Sequence, residues 1–506
     1  MVFSSLSFLF LFLPCFLISY YLLPNRFRSI VIVLFSYFFY AWWRIDFLLL
    51  FVFITVSNYF IALQIEKNSA GKRQLWLVSG LVINLSTLAF FKYANFGVEV
   101  FVTVFNDLNV DSWLLVNVIL PIGISFYIFQ AISYLVDVYQ KTCNANRTFI
   151  DFAAFISLFP QLIAGPVLRY KDIESQFSTR THSIENFSSG CERFMIGFIK
   201  KVLIADSIAP IVNYGFALQD PTFMDAWLTT FAYTAQLYFD FSGYADMAIG
   251  LGLMMGFKFM ENFNQPYISQ SITEFWRRWH ISLSSWLKDY LYIPLGGSRM
   301  GKLFTYRNLM LTMLLGGLWH GANWTFIVWG LWHGGLLALE KYFNVDSNAD
   351  KRSTDFNFIK WSVTLFLVML GWVVFRSENI GQAVVFYQAM FSFDQFSLSS
   401  DFTKDILNYH YFMLMIAWLL IIVIGNKTRI EKTLKQCVSR IIQFSAAQFS
   451  DPQSATTHNS ATKKDVKQQV SPSAFILKSC SVFVSFVFSI LLLIENTFSP
   501  FLYFQF

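Results

Sequence analysis

LMLTMLLGGLWHGANWTFIVWGLWHGGLLALE, residues 309–340, decides how this chain folds. It is apolar almost throughout and well over the roughly 20 residues that cross a bilayer as one helix. Gly316, Gly317 and Gly321 cluster around His320, which predicts a broken pair of helices instead of one straight span. An imidazole at membrane depth costs free energy unless it is paired or faces water, so its default reading is functional. A buried neutral histidine is suited to take a proton from a hydroxyl.

Outward from this stretch, composition points the same way. Of 506 residues, 56% are hydrophobic, 19% aromatic and 13% charged, against about 25% charged in an average soluble protein. An all-α polytopic membrane protein is expected. The 60 Phe and 15 Trp imply aromatic interiors and interfacial belts. The net charge of +6 is no nucleic-acid signal, because its carriers fall between apolar runs. Spanning runs are predicted near 3–23, 29–43, 47–63, 75–91, 113–136, 191–217, 224–256, 309–340, 357–376, 409–425 and 474–497. With a pair of helices at 309–340 they make about 11–12 transmembrane helices.

Basic residues set the expected orientation. Arg26 and Arg28 follow the first apolar run and nothing basic precedes it, so a retained anchor with an outside N-terminus is predicted. Lys67, Lys72, Arg73, Lys141, Arg147, Arg277 to Arg307, Lys341, Lys351, Arg352 and Lys427 to Lys435 then fall inside. Arg44, Lys92, Arg376 and Lys404 are left for outside loops. The C-terminus is expected outside as well. Five scattered cysteines without C-x-x-C spacing indicate neither a disulfide framework nor a zinc site.

Two stretches depart from the spanning pattern. FAAFISLFPQLIAGPVL, residues 152–168, is short and broken by Pro160 and Gly165-Pro166, which predicts a re-entrant or interfacial element. Such backbone survives at membrane depth only where protein or a wet cavity covers it. Residues 446–473 form a polar linker on the inner side, within what is otherwise one domain over 1–506.

From Ser271 the chain reads SITEFWRRWHISLSSWLKDYLYIPLGG, to Gly297. Ser271 and Glu274 have capping-box spacing, and Trp276, Trp279, Leu283, Leu287 and Tyr290 share a helical face. An amphipathic helix at the inner surface is predicted, with His280 on its apolar side. Its basic residues have two readings. They anchor to anionic headgroups, or Arg277, Arg278 and Lys288, with Arg299, Lys302 and Arg307, attract the phosphates of a cytosolic acyl donor.

Trp319-His320-Gly321 recurs as Trp332-His333-Gly334. At about 100° per residue the separation puts the two imidazoles on nearly opposite faces of a continuous helix, which argues against a shared metal. No H-E-x-x-H, G-x-S-x-G or G-x-x-x-x-G-K motif is present. Gly250 and Gly252, inside a predicted span, suit close helix approach more than nucleotide binding. Asp240 and Asp246 at depth either pair with buried donors, orient a histidine or hold a sugar hydroxyl. Asn323 is a candidate donor to an oxyanion. His182, His410 and His458 lie near loops or linkers and carry no role.

NFNQPY (262–267), EFWRRWH (274–280), YIPLGG (292–297) and GGLWHG (316–321) together resemble the membrane-bound O-acyltransferase (MBOAT) family. The branch that includes bacterial alginate O-acetylases is the one they look most like. PIGISF (121–126), FPQLIAGP (159–166), the Asp240 segment and FLYFQF (501–506) extend the likeness over nearly the whole chain.

The resemblance implies an MBOAT-type helical fold with a central tunnel, an inner mouth for an acyl donor and an outer mouth for the acceptor. It maps the family's invariant histidine to His320 and a donor-side histidine to His280. It further implies acetyl-CoA as donor substrate with no permanently bound cofactor, an exported polysaccharide such as alginate as acceptor, and a periplasmic SGNH-type partner. The place implied is a bacterial inner membrane. Peptidoglycan acylation and D-alanyl transfer stay open, as does a transporter or flippase using His320, Asp240 and Asp246 as a relay, or a scaffold. Deleting residues 451–468 of the linker is expected to leave acyl transfer and membrane abundance unchanged, as assayed in membranes from a deletion strain.

Overall fold

The computed structural model describes residues 2–104, 118–163, 165–345, 356–393, 396–399, 408–425 and 472–495. Most of the linker 446–473, the carboxyl-terminal FLYFQF and His458 lie outside the described residues. Among the described residues the secondary structure is helical and no strand occurs.

After a π turn at Phe8–Phe12 come α1 (Leu13–Leu22), α2 (Arg28–Ala41), α3 (Asp46–Lys67), α4 (Ala70–Val104) and α5 (Ile124–Gln140). Short α6 (Phe149–Ser157), α7 (Phe159–Leu162) and α8 (Tyr170–Ser178) lead to α9 (Ile184–Ile199), a π turn at Lys200–Ala205, α10 (Asp206–Ala217) and α11 (Phe223–Met254). Then follow α12 (Ile272–Arg278), α13 (Ile281–Leu287), a π turn at Lys288–Tyr292, α14 (Lys302–His320) and α15 (Trp324–Tyr342). The described part closes with α16 (Phe358–Arg376), α17 (Ile380–Phe391), α18 (Asn408–Gly425) and α19 (Pro472–Glu495).

The chain is a multi-pass membrane protein. Four stretches, α3, α4, α16 and Ile476–Glu495, are long and apolar enough on their own to cross a membrane. Other predicted spans are shorter or carry charge. Helix α11 is the clearest case: Asp240 and Asp246 lie within it, and it is buried on nearly every side. Close approach of α9 to α11 rests on glycines spaced seven apart on each. A Cβ on Gly197 would stand 2.5 Å from the Gly243 carbonyl oxygen, and one on Gly190 would stand 2.7 Å from that of Gly250. Small residues of this kind let helix backbones touch in membranes.

The predicted break in 309–340 is present. Helix α14 ends at His320, Gly321 is extended, and the Asn323 side chain accepts the Thr325 amide at 2.9 Å to start α15. The two helices then pack as a hairpin, closely enough that a Cβ on Gly317 would meet the Phe326 carbonyl oxygen at 2.2 Å. The 152–168 element is broken after Ser157, and its residues 152–162 are buried beneath other helices.

Two expectations are corrected. The stretch from Ser271 is not one amphipathic helix, since the chain turns at Trp279-His280 into the separate α13. Lys92 is not in an outside loop: no proline interrupts 70–104, so the helix continues past the apolar run and buries Lys92 inside the protein. Replacing Gly243 by Leu is expected to destabilise the protein by about 1–3 kcal/mol through overpacking, seen as a lower melting temperature in detergent. An unchanged melting temperature would contradict this packing.

Candidate active site

The turn at His280 is imposed by residues distant in sequence. On one side the Asn264 amide donates to the Arg278 carbonyl at 2.9 Å, and on the other the Ile281 amide donates to the Asn262 carbonyl at 2.9 Å. The Ser282 hydroxyl donates to Asn262 Oδ1 at 2.8 Å and accepts the Val167 amide at 2.9 Å. Pinned on both sides, His280 takes φ 44° and ψ 55°, a left-handed conformation that costs a non-glycine residue on the order of 1–3 kcal/mol. Its imidazole is thereby turned inward, 1% exposed, with its edge against Phe241 at 5.0 Å between centroids. It makes no hydrogen bond to another residue among those described.

Helix α12 is anchored at its start. Ser271 accepts the Glu274 amide at 3.0 Å, as its spacing predicts. Glu340, from α15, adds what the sequence did not reveal: its carboxylate accepts the Ile272 amide at 2.6 Å and the Thr273 amide at 2.8 Å. A carboxylate at exposed N-terminal amides is favourable both as hydrogen bonding and against the helix dipole. The far end of α15 thus holds the segment that carries Trp276.

His320, the last residue of α14, is 5% exposed and enclosed by Trp319, Trp329 and Phe375, with ring centroids 5.0, 5.2 and 5.1 Å away. It lines a cavity of about 120 Å³ together with Trp276, Leu283, Ser284 and Leu287 of α12 and α13, Gly316 of α14 and Trp329 of α15. Trp319 lies against both histidines, 6.0 Å from His280 and 5.0 Å from His320. On the other side of the hairpin His333 packs on Trp329 at 5.0 Å, and its Nδ1 accepts from Trp276 Nε1 at 3.4 Å. Opposite faces would hold for a continuous helix; the hairpin instead brings both imidazoles to Trp329.

The acidic candidates are engaged with cations. Asp240 pairs with Lys201 at 2.7 Å, and Lys201 also reaches Asp206 at 2.6 Å. Asp246 pairs with Arg193 and with Lys200, each at 2.6 Å. These bridges tie α11 to α9 and its π turn. Asn323 serves the hairpin turn, capping α15 and donating from Nδ2 to the Glu378 carbonyl at 2.8 Å. Of the proposed donor-binding set, Trp276 reaches the cavity; Arg277 and Lys288 lie exposed, and Arg278 pairs with Glu274 at 2.9 Å.

Among the described residues no three His, Cys, Asp or Glu gather into a metal-binding group. Outside the spans, burial pushes the Cys143 thiol up to about 12, so it is a poor nucleophile near neutral pH. Sequence reasoning missed Asn262, Ser282 and Glu340, whose partners are distant in the chain. It also missed Lys92, for which the signal was available: a lysine in an apolar run with no helix breaker after it.

A family model described as MBOAT, membrane-bound O-acyltransferase family, matches residues 145–376, which contain His280, His320 and His333. The chain is 52% identical over 510 residues to the "Probable alginate O-acetylase" of Azotobacter vinelandii, covering 100% of both chains. It is 38% identical over 437 residues to the "Peptidoglycan O-acetyltransferase" of Helicobacter pylori, covering 79% of this chain and 81% of that one. With the "Teichoic acid D-alanyltransferase" of Bacillus subtilis it shares 31% identity over 240 residues, 45% of this chain and 60% of the other.

Replacing Lys201 by Met is expected to lower stability by about 3–5 kcal/mol, because a buried carboxylate loses its cation. The double variant Lys201→Met with Asp240→Asn should recover most of that loss in a detergent melting assay. A single variant as stable as the wild type would show that the pair carries no structural weight.

Proposed function

The chain belongs to the membrane-bound O-acyltransferase family, and on that premise we propose that it moves acetyl groups from acetyl-CoA toward hydroxyls of an exported polysaccharide, alginate or one like it. It is an O-acyltransferase, which removes the transporter and scaffold readings. Alginate is favoured as acceptor because the alginate O-acetylase relative is matched over its whole length at 52%, against 38% over part of the peptidoglycan enzyme. D-alanyl transfer is disfavoured on the same ground. We assign the protein to a bacterial inner membrane with both termini periplasmic, and propose an SGNH-type periplasmic partner for delivery.

The observation that carries the site assignment is the cavity, which joins His320 to the face of α12 and α13 that holds Trp276 and Leu283. Beyond the cavity the donor would extend toward the inner surface, where Arg277 and Lys288 can meet its phosphates and Arg278 flanks them.

In this reading His320 is the general base. It takes the proton of the acceptor hydroxyl as that oxygen attacks the thioester carbonyl carbon. The C–O bond forms, the tetrahedral centre collapses with loss of the C–S bond, and the proton held on His320 passes to the departing thiolate. No net proton is consumed, so a dry site is adequate. A thioester is activated already, and alignment of the hydroxyl beside it supplies much of the remaining acceleration. His280, unbonded to other side chains yet buried, is the group we assign to holding the donor or acceptor beside Trp319. Asp240 and Asp246 then support the site through the helix frame. Whether the acetyl group goes directly to carbohydrate or through the periplasmic partner does not alter this step.

Replacing His320 by Ala is expected to lower acetyl transfer from labelled acetyl-CoA by at least about 100-fold while the amount of folded protein in the membrane stays the same. Transfer at the wild-type rate by the folded variant would remove His320 from this role.

A further inference from the structure

Lys92 is a buried lysine that the reaction above does not use. It sits within α4, 8% exposed, and no acidic side chain pairs with it among the described residues. Its Nζ donates to the carbonyl oxygens of Trp319 and His320, the latter at 3.2 Å, and reaches Ser125 Oγ at 3.4 Å. The next residue, Tyr93, donates its hydroxyl to the Leu318 carbonyl at 2.7 Å. Two consecutive residues of one long helix therefore bind three consecutive carbonyls, those that close α14.

The physical need for such a clamp is plain. The last carbonyls of a helix have no partner within the helix, and lipid cannot supply one. Their combined dipole also favours a positive charge at this end. Water or a serine would satisfy single carbonyls without fixing the turn. A lysine amine and a tyrosine hydroxyl on one 35-residue helix do fix it. The imidazole of His320 hangs from the residue whose carbonyl Lys92 holds, so rotation of that terminal turn would swing the ring out of the cavity.

We infer that Lys92, assisted by Tyr93, is a positioning residue for His320: it locks the last turn of α14 so that the imidazole faces the acyl-transfer cavity. This inference rests on the reading of His320 as the base. Lys92 lies on the carbonyl side of the turn and is not among the residues that line the cavity, so its influence passes through His320. A lysine amine carries several donors on one atom, which lets Lys92 hold the Trp319 and His320 carbonyls together.

The test is steady-state kinetics of purified Lys92→Met, Lys92→Arg and Tyr93→Phe with labelled acetyl-CoA and polysaccharide, alongside melting temperature. Misplacement of a catalytic group by about 1 Å costs about 100-fold, so Lys92→Met should lose kcat on that scale with KM for acetyl-CoA and the melting temperature little changed. Lys92→Arg, which restores a cationic donor, should recover at least a tenth of kcat. In a His320→Ala background Lys92→Met should cause no further loss, because its effect passes through His320. Wild-type kcat in folded Lys92→Met, or a full loss in Lys92→Arg that persists in the folded protein, would overturn the inference. Should Lys92→Met not fold, Tyr93→Phe decides: reduced kcat at constant KM supports the clamp, and wild-type kcat sinks it. Retained transfer by His320→Ala alone would defeat the assignment of the base instead, which keeps the two failures apart.

Discussion

An imidazole can be held buried and aimed inside a bilayer protein only if the backbone around it is also satisfied, and that constraint organises this molecule. His320 ends a helix at depth, where unpaired carbonyls would otherwise face an apolar medium. The answer built into the fold is a neighbouring helix that brings Lys92 and Tyr93 to those carbonyls. Around the ring itself the chain places aromatic walls, with Trp319, Trp329 and Phe375 each about one ring-contact away. Their rings pack against the imidazole and keep it largely from solvent.

The second break in helical structure, at His280, obeys the same logic from the opposite direction. There the backbone is strained, and the strain is held by Asn262, Asn264 and Ser282 through hydrogen bonds on both sides of the turn. Glu340 closes the frame by fixing the start of α12 to the end of the helix that begins beside His320. Farther out, the bridges from Asp240 and Asp246 to Lys201, Lys200 and Arg193 hold α11 against α9, where facing glycines let the backbones touch. Movement of these elements would shift α12 and α13 against the hairpin and so alter the cavity beside His320.

Much of this was legible in the sequence, and what was not has a physical reason. The hairpin at Gly321 could be read because length, glycines and a histidine in an apolar run are all local. The broken 152–168 element was legible from Pro160 and Gly165. The break at His280 was hidden, since the local pattern of Trp276, Trp279, Leu283 and Leu287 continues a helical face straight through it. Only the loop at 262–264, pressing on the backbone from elsewhere, overrides that periodicity. Lys92 was misread because a charged residue at the end of an apolar stretch looks like a loop boundary, although the helix runs on for another turn and more. Pairings such as Asp246 with Arg193 join residues separated by a whole helix, and nothing local names the partner. The family resemblance correctly anticipated the class of protein but not these supports.

The most direct measurement is an experimental structure of the protein bound to a non-hydrolysable acetyl-thioester analogue of the donor. The account places the analogue's carbonyl carbon where an acceptor oxygen hydrogen-bonded to the His320 imidazole, at about 2.6–3.2 Å, would stand about 3–3.5 Å from it, with its acyl end in the cavity bounded by Trp276 and Leu287. An analogue bound with its acyl carbon remote from His320, and with that cavity filled by side chains, would contradict it.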